Sequence, residues 1–207
     1  MLSQEVAMEL HYYKPTDLET WISKKYQENG IHYASDLDID HIASIFNITV
    51  KTTKGESKAI WDEDYSLILL HGYLTEEQKR EHFFHELCHP IKHVGNQNSM
   101  PRAFQELQEI QAAHFQLYAA MPAYMLEEFK EIKNFPTYIK VLSEEFKLSV
   151  RFIEKRIEQI QRRINQARMD HQFLMSRMPV KVRYEQSQIA RAVIDKLSHI
   201  KARKGAL

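Results

Sequence analysis

Two histidines four residues apart, with a glutamate directly after the first, make the segment His85-Glu86-Leu87-Cys88-His89 the densest chemical signal in this chain. On a helix, residues i and i+4 project from one face, about 6 Å apart along the axis. Two imidazoles so placed reach a single zinc ion at about 2.0–2.1 Å. Glu86 leans beside such a metal rather than onto it. There it takes a proton from a water whose pKa zinc lowers from about 15.7 to near 7. The chemistry expected is metal-assisted hydrolysis with Glu86 as general base.

A catalytic zinc takes three protein ligands and keeps one position open. His82, His93, Glu106, Glu109 and His114 all offer suitable donors for the third. Pro90 removes a helical hydrogen bond and clashes with the carbonyl of Glu86, so a kink or helix end is expected there, which leaves the direction of His93 open. Glu109 falls on the next long helix, where it also reads as an ordinary solvated charge. Position alone does not choose among these residues. Cys88 reads chiefly as a small buried side chain, with a redox-sensitive thiolate beside zinc as the alternative. His93, Tyr118 and Tyr124 are candidates for steadying an oxyanion.

The elements that must position these groups are legible in outline. Thr16 with Glu19 forms a capping-box pattern that opens a helix to about Asn29. A short helix over about Asp38 to Phe46 follows from the spacing of Ile39, Ile42, Ala43 and Phe46. Strands are expected at Ile48–Thr52, about Ser57–Trp61 and Tyr65–His71, the last poor in charge and a candidate sheet edge for an extended substrate. The histidine-bearing helix opens at Thr75-Glu76-Glu77-Gln78 and buries Phe83, Phe84 and Leu87. Further helices are expected over about Met100–Met121, 123–131, 136–146, Ser149–Arg177 and Tyr184–Arg203. The fold class is α+β, mainly helical, with one small antiparallel three-stranded sheet placed early. Three regions are expected: a domain over 1–131 that carries the histidine pair, a helical segment over 132–165, and a basic helical extension over 166–207.

Composition narrows the class. Hydrophobic residues make up 43% of the 207, enough for a core. The longest aliphatic run, Leu67-Ile68-Leu69-Leu70, is far short of the about 20 residues a membrane-spanning helix needs. Met1 to Glu5 shows no secretory pattern, and one cysteine allows no internal disulfide, so a cytoplasmic location is expected. Charge is split: residues 1–130 hold 11 Lys+Arg against 20 Asp+Glu, and residues 131–207 hold 17 against 8. The basic part either packs against its acidic neighbour or contacts a polyanion such as DNA.

The stretch His85-Glu-Leu-Cys-His-Pro-Ile-Lys-His93, followed by Glu109-Ile-Gln-Ala112-Ala-His-Phe115 and by Met121-Pro122, resembles the ImmA/IrrE family of zinc metallopeptidases. In that family the active-site helix is followed by one patterned Glu-x-x-Ala-x-x-Phe that ends in Met-Pro. The likeness covers roughly residues 30 to 165. It implies Zn2+ held by His85, His89 and Glu109, with Glu86 as the catalytic base. It also implies a protein substrate: the helix-turn-helix transcriptional repressor of a phage or mobile element. The resemblance makes 1–131 a zincin-like metallopeptidase domain and 132–165 a helix-turn-helix-like segment: residues Tyr138 to Arg156 resemble the family's small helix-turn-helix, with Leu142, Phe146, Leu148, Val150 and Ile153 as its expected apolar core.

Three positions depart from the pattern. Cys88 stands where a small residue is usual, Pro90 where proline is rare, and Ala113 where Asn or Asp is common. Metal-bound imidazoles need an outer acceptor to fix their tautomer. By helical spacing from Glu109, Gln105 and Gln116 are the candidates. Two other function classes compete. A DNA-binding regulator would use Arg151, Lys155, Arg162 and Arg163, with salt-sensitive binding. An interaction module or homodimer would use Ile153, Ile157, Ile160 and Ile164 for helix packing.

Overall fold

The structure, a computed structural model, describes residues 9–93, 100–177 and 191–197. Helix α1 (Asp17–Glu28) starts where the Thr16 hydroxyl accepts the Glu19 amide at 3.1 Å. It ends in a left-handed Gly30 at φ +79°. There the amides of Gly30 and Ile31 donate back to the carbonyls of Gln27 and Tyr26, closing a Schellman motif. Helix α2 (Ile39–Ile45) is capped by Asp38, whose carboxylate accepts the His41 amide at 2.8 Å.

Strands β1 (Thr49–Thr53), β2 (Lys58–Trp61) and β3 (Ser66–His71) form one sheet in the order β1-β3-β2. The sheet is mixed, which corrects the all-antiparallel expectation. β2 runs antiparallel to β3, from Lys58 opposite Leu69 to Trp61 opposite Ser66. β1 runs parallel to it, from Thr49 opposite Leu67 to Thr53 opposite His71. The apolar run in β3 is what draws it to the centre, where Ile68 and Leu70 are buried. The turn over residues 54–57 carries the chain past the end of β3, where the His71 amide donates to Ser57 Oγ and the Gly72 amide to the Thr53 carbonyl. β3 is therefore not a free edge; the edges are β1 and β2.

Helix α3 (Glu76–Lys92) opens on a reciprocal capping box between Thr75 and Gln78. The helix runs through Pro90 to Lys92 and gives way to an extended His93, so it ends two residues past the proline rather than at it. Pro90 sits in the last turn, where its missing N–H costs a single bond, and the His93 amide still donates to the His89 carbonyl at 2.9 Å. Helix α4 (Arg102–Ala120) packs along α3 and α1, burying Ala112 and Phe115, with the Tyr26 hydroxyl donating to the Ala119 carbonyl at 3.2 Å. Met121 and Pro122 end it.

A 3-10 segment (Ala123–Phe129) leads to α5 (Phe135–Phe146) and α6 (Val150–Arg177). Between them Lys147 takes a left-handed conformation, φ 52°. Leu142, Phe146, Leu148 and Ile153 are buried, whereas Val150 is exposed and Phe152 faces inward in its place. These residues join one hydrophobic cluster with Ile22, Phe83 and Phe115. Two buried cations tie it together. Arg80 donates to the carbonyls of Leu37 and Phe146. Arg156 meets Glu19 with both side chains excluded from solvent, and also donates to the Met121 carbonyl.

The chain divides into two compact units, one ending at Arg168 and the other beginning at Met169. α5 and the larger part of α6 lie in the same unit as α3 and α4. Of the helix expected over Tyr184–Arg203, residues 191–197 are helical and the rest lies outside the described residues. Among the described residues no helix is long and apolar enough to cross a membrane.

Candidate metal centre

α3 presents His85 and His89 on the side that faces α4, and α4 presents Glu109 to both. His85 Nε2 lies 3.1 Å from Glu109 Oε2, and His89 Nε2 lies 3.8 Å from Glu109 Oε1. One ligand atom from each of the three residues falls within 4.8 Å of the other two. Among the described residues this is the one such group of His, Cys, Asp and Glu side chains. The burial is graded: His89 is enclosed, His85 half-buried, and Glu109 open to solvent.

The other third-ligand candidates lie elsewhere. Glu106 pairs with Arg102 at 2.8 Å. His82 and His114 are exposed and outside the group. His93 is buried behind His89, with the two Nδ1 atoms 3.0 Å apart, and its Nε2 lies 3.1 Å from Gln111 Oε1. Burial lowers the pKa of His93, and lowers that of His89 to about 4 against the raising effect of Glu109. Both rings are therefore neutral near pH 7, the state in which an imidazole nitrogen can ligate a metal.

Glu86 turns toward the sheet. Its Oε2 accepts the Ala59 amide of edge strand β2 at 2.8 Å. Burial pushes its carboxyl up to about 7, the Ala59 amide pulls it down, and the Glu109 charge adds a smaller upward push. A carboxyl near neutrality is suited to both accepting and returning a proton. β2 also contributes Trp61, whose indole stacks on His89 at 5.8 Å between centroids, the planes 20° apart. The Trp61 Nε1–H donates to the His93 carbonyl at 3.1 Å. Beside Glu86 opens a cleft of about 740 Å³ bordered by Ser57, His71, Glu81, His82 and His85.

Several other expectations resolve structurally. Burial pushes the Cys88 thiol up to about 12, so it stays protonated and packs among apolar neighbours. The Tyr124 hydroxyl donates to the Ile31 carbonyl, and the Tyr118 hydroxyl accepts from Gln159. Gln105 donates to the Met100 carbonyl and Gln116 to the Glu81 carbonyl, so neither bonds a site histidine. Sequence reasoning missed Ala59, Trp61 and Gln111. The recurrence of histidine at 85, 89 and 93 was the available signal for the last, since it aims a third ring along the same helix face.

Residues 41–158 match the family profile of the IrrE N-terminal-like domain, Peptidase_M78. The chain is 32% identical over 147 residues to the phage-like element PBSX protein XkdA of Bacillus subtilis (strain 168), covering 70% of this chain and 74% of that one. It is 26% identical over 159 residues to the uncharacterized protein YqaB of the same strain, covering 74% and 90%. A solved Mycobacterium tuberculosis transcriptional regulator aligns with 15% identity and a TM-score of 0.48, over 70% of this chain and 48% of that one. The chain thus spans about half the length of that regulator. By the profile match and the likeness to XkdA, the chain belongs to the ImmA/IrrE family, whose peptidase-type domain it carries.

Proposed function

We propose that the chain is a zinc-dependent endopeptidase that cuts a specific protein, the helix-turn-helix transcriptional repressor of a phage or mobile element. The observation that carries this reading is the convergence of His85, His89 and Glu109, with the raised carboxyl of Glu86 beside them. Two imidazoles and one carboxylate, open on the Glu109 side, suit zinc with one position left for water. Zinc held there supplies Lewis acidity toward a scissile carbonyl and acidifies a water.

The chain's own residues do the remainder. Glu86 is anchored through Oε2 by the Ala59 amide, which leaves Oε1 to take the proton and later return it to the leaving amine. β2 is the sheet edge that borders the site. The Asp62 amide bonds inward to Tyr65, so Trp61 points its backbone groups outward by alternation, as Ala59 does. An extended substrate segment adds to that edge by strand pairing. The repressor assignment draws support from the likeness to a protein named for a phage-like element.

The test compares wild type with Glu86→Gln for bound metal and for cleavage of the repressor encoded nearest to its gene. About one zinc per chain in both, with cutting by the wild type alone, is expected. A wild type that takes up no zinc refutes the reading. A second reading rests on the outer face of α6, where Arg151, Lys155 and Arg162 are exposed. DNA contact there would weaken linearly in log affinity with log salt, the slope tracking the phosphates met.

A further inference from the structure

We infer that His93, set by Gln111, is a positioning residue that holds His89 in the one tautomer able to ligate a metal. The inference rests on the metallopeptidase reading of His85, His89 and Glu109. It starts from Gln111, whose Oε1 faces His93 Nε2 at 3.1 Å. A carboxamide oxygen only accepts, so His93 Nε2 carries the proton. In a neutral ring the other nitrogen is then a bare acceptor, and it is this His93 Nδ1 that faces His89 Nδ1 at 3.0 Å. His89 Nδ1 must in turn be the donor. His89 Nε2 is left as a lone pair, and it points toward Glu109 and the metal position. One oxygen on α4 thus fixes the proton on each of two rings, one in α3 and one at its C-cap.

Reversing Gln111, so that its NH2 faces His93, reverses every bond. His89 Nε2 would then carry a hydrogen and could not ligate. The side-chain amide orientation of an exposed glutamine therefore decides whether the site can bind a metal.

Geometry reinforces the chain of bonds. His89 and His93 are both buried, at 3% and 6% exposure. The Trp61 indole lies flat against the His89 ring, and its N–H holds the His93 carbonyl. Among the described residues the sequence-based candidates for this role are placed elsewhere. Ala113, one turn beyond Glu109, has no polar group, and Gln105 and Gln116 are bonded to backbone carbonyls. Pro90 does not disturb the arrangement: α3 continues to Lys92, and the His93 amide at its C-cap still donates to the His89 carbonyl.

The experiment uses the full chain and two substitutions at solvent-exposed Gln111, which leave the core untouched. Gln111→Glu keeps an acceptor toward His93, and Gln111→Lys replaces it by a donor. Three quantities are read: the ring 15N spectrum of the metal-free protein, zinc affinity by competition with a chelator, and the visible spectrum of the cobalt-loaded protein. The wild type and Gln111→Glu should show His89 protonated at Nδ1 and His93 at Nε2. Gln111→Lys should show the reverse, bind zinc about 10–100-fold more weakly and alter the cobalt spectrum, with melting of the metal-free chain unchanged. His93→Phe should weaken zinc similarly.

A metal-free wild type with His89 protonated at Nε2 overturns the inference. So does a Gln111→Lys variant with wild-type zinc affinity and cobalt spectrum. If the wild type shows the assigned tautomers but takes up no zinc, the metallopeptidase reading fails, and with it the purpose given to the relay.

Discussion

Glu86→Gln, studied in the chelator-treated protein, separates the burial of a carboxyl from its chemistry. Burial moves Glu86 from an ordinary value of 4.5 to about 7. The folded chain therefore holds this proton more tightly than the unfolded chain does. The stability so contributed is fully present below about pH 4.5 and is lost as pH rises through about 7. A gap of about 2.5 units is worth about 3 kcal/mol, most of it between about pH 5 and about pH 8. Glutamine keeps an oxygen for the Ala59 amide and has no proton to release, so its stability lacks this slope. Urea unfolding of both chains at the two pH values gives the comparison. The variant should gain about 2–3 kcal/mol on the wild type between them. Parallel pH dependence in the two chains would refute the burial of Glu86 as the source of its raised pKa.

Three further outcomes follow from the geometry. Glu109→Ala removes the one ligand from α4, so zinc measured after dialysis should fall well below the wild-type content while the fold, read by circular dichroism, is kept. Arg156→Met strands the Glu19 carboxylate in a dry site and should cost about 3–5 kcal/mol in chemical denaturation, and adding Glu19→Leu should recover most of it. Gly30→Ala places a side chain at φ +79° in the α1 Schellman turn, so a melting-temperature drop equivalent to about 1 kcal/mol is expected.

What could be read from the sequence was local. Thr16 and Thr75 announce their helices because a cap acts within three residues, and the 85/89 spacing carries its own geometry. What escaped depends on partners distant in the chain. The pairing of β1 with β3 turns on which strand takes the centre, and that was settled by the burial of Ile68 and Leu70 beneath later elements. The helix end expected at Pro90 is displaced by two residues, because a proline in the last turn removes only one hydrogen bond. Phe152 enters the core rather than Val150, which stands in the first turn of α6, where the Ser149 hydroxyl accepts the Phe152 amide and Glu81 of α3 accepts the Ser149 amide. Gln111 had no mark of its own, since its task exists only once α4 lies against α3.

The links between α3 and the α5–α6 turn bear on how such a protein can be inherited. Glu81 receives the Ser149 amide, Arg80 reaches the Phe146 carbonyl, and Arg156 answers Glu19 across the core. A recombination breakpoint at about residue 131 would hand on His85, His89 and Glu109 with these three groups bereft of their partners. A breakpoint past Arg168, where the first compact unit ends, leaves all three links intact. New tails can be grafted onto this lineage there, whereas the α5–α6 turn has to travel with α1 and α3 as one heritable block.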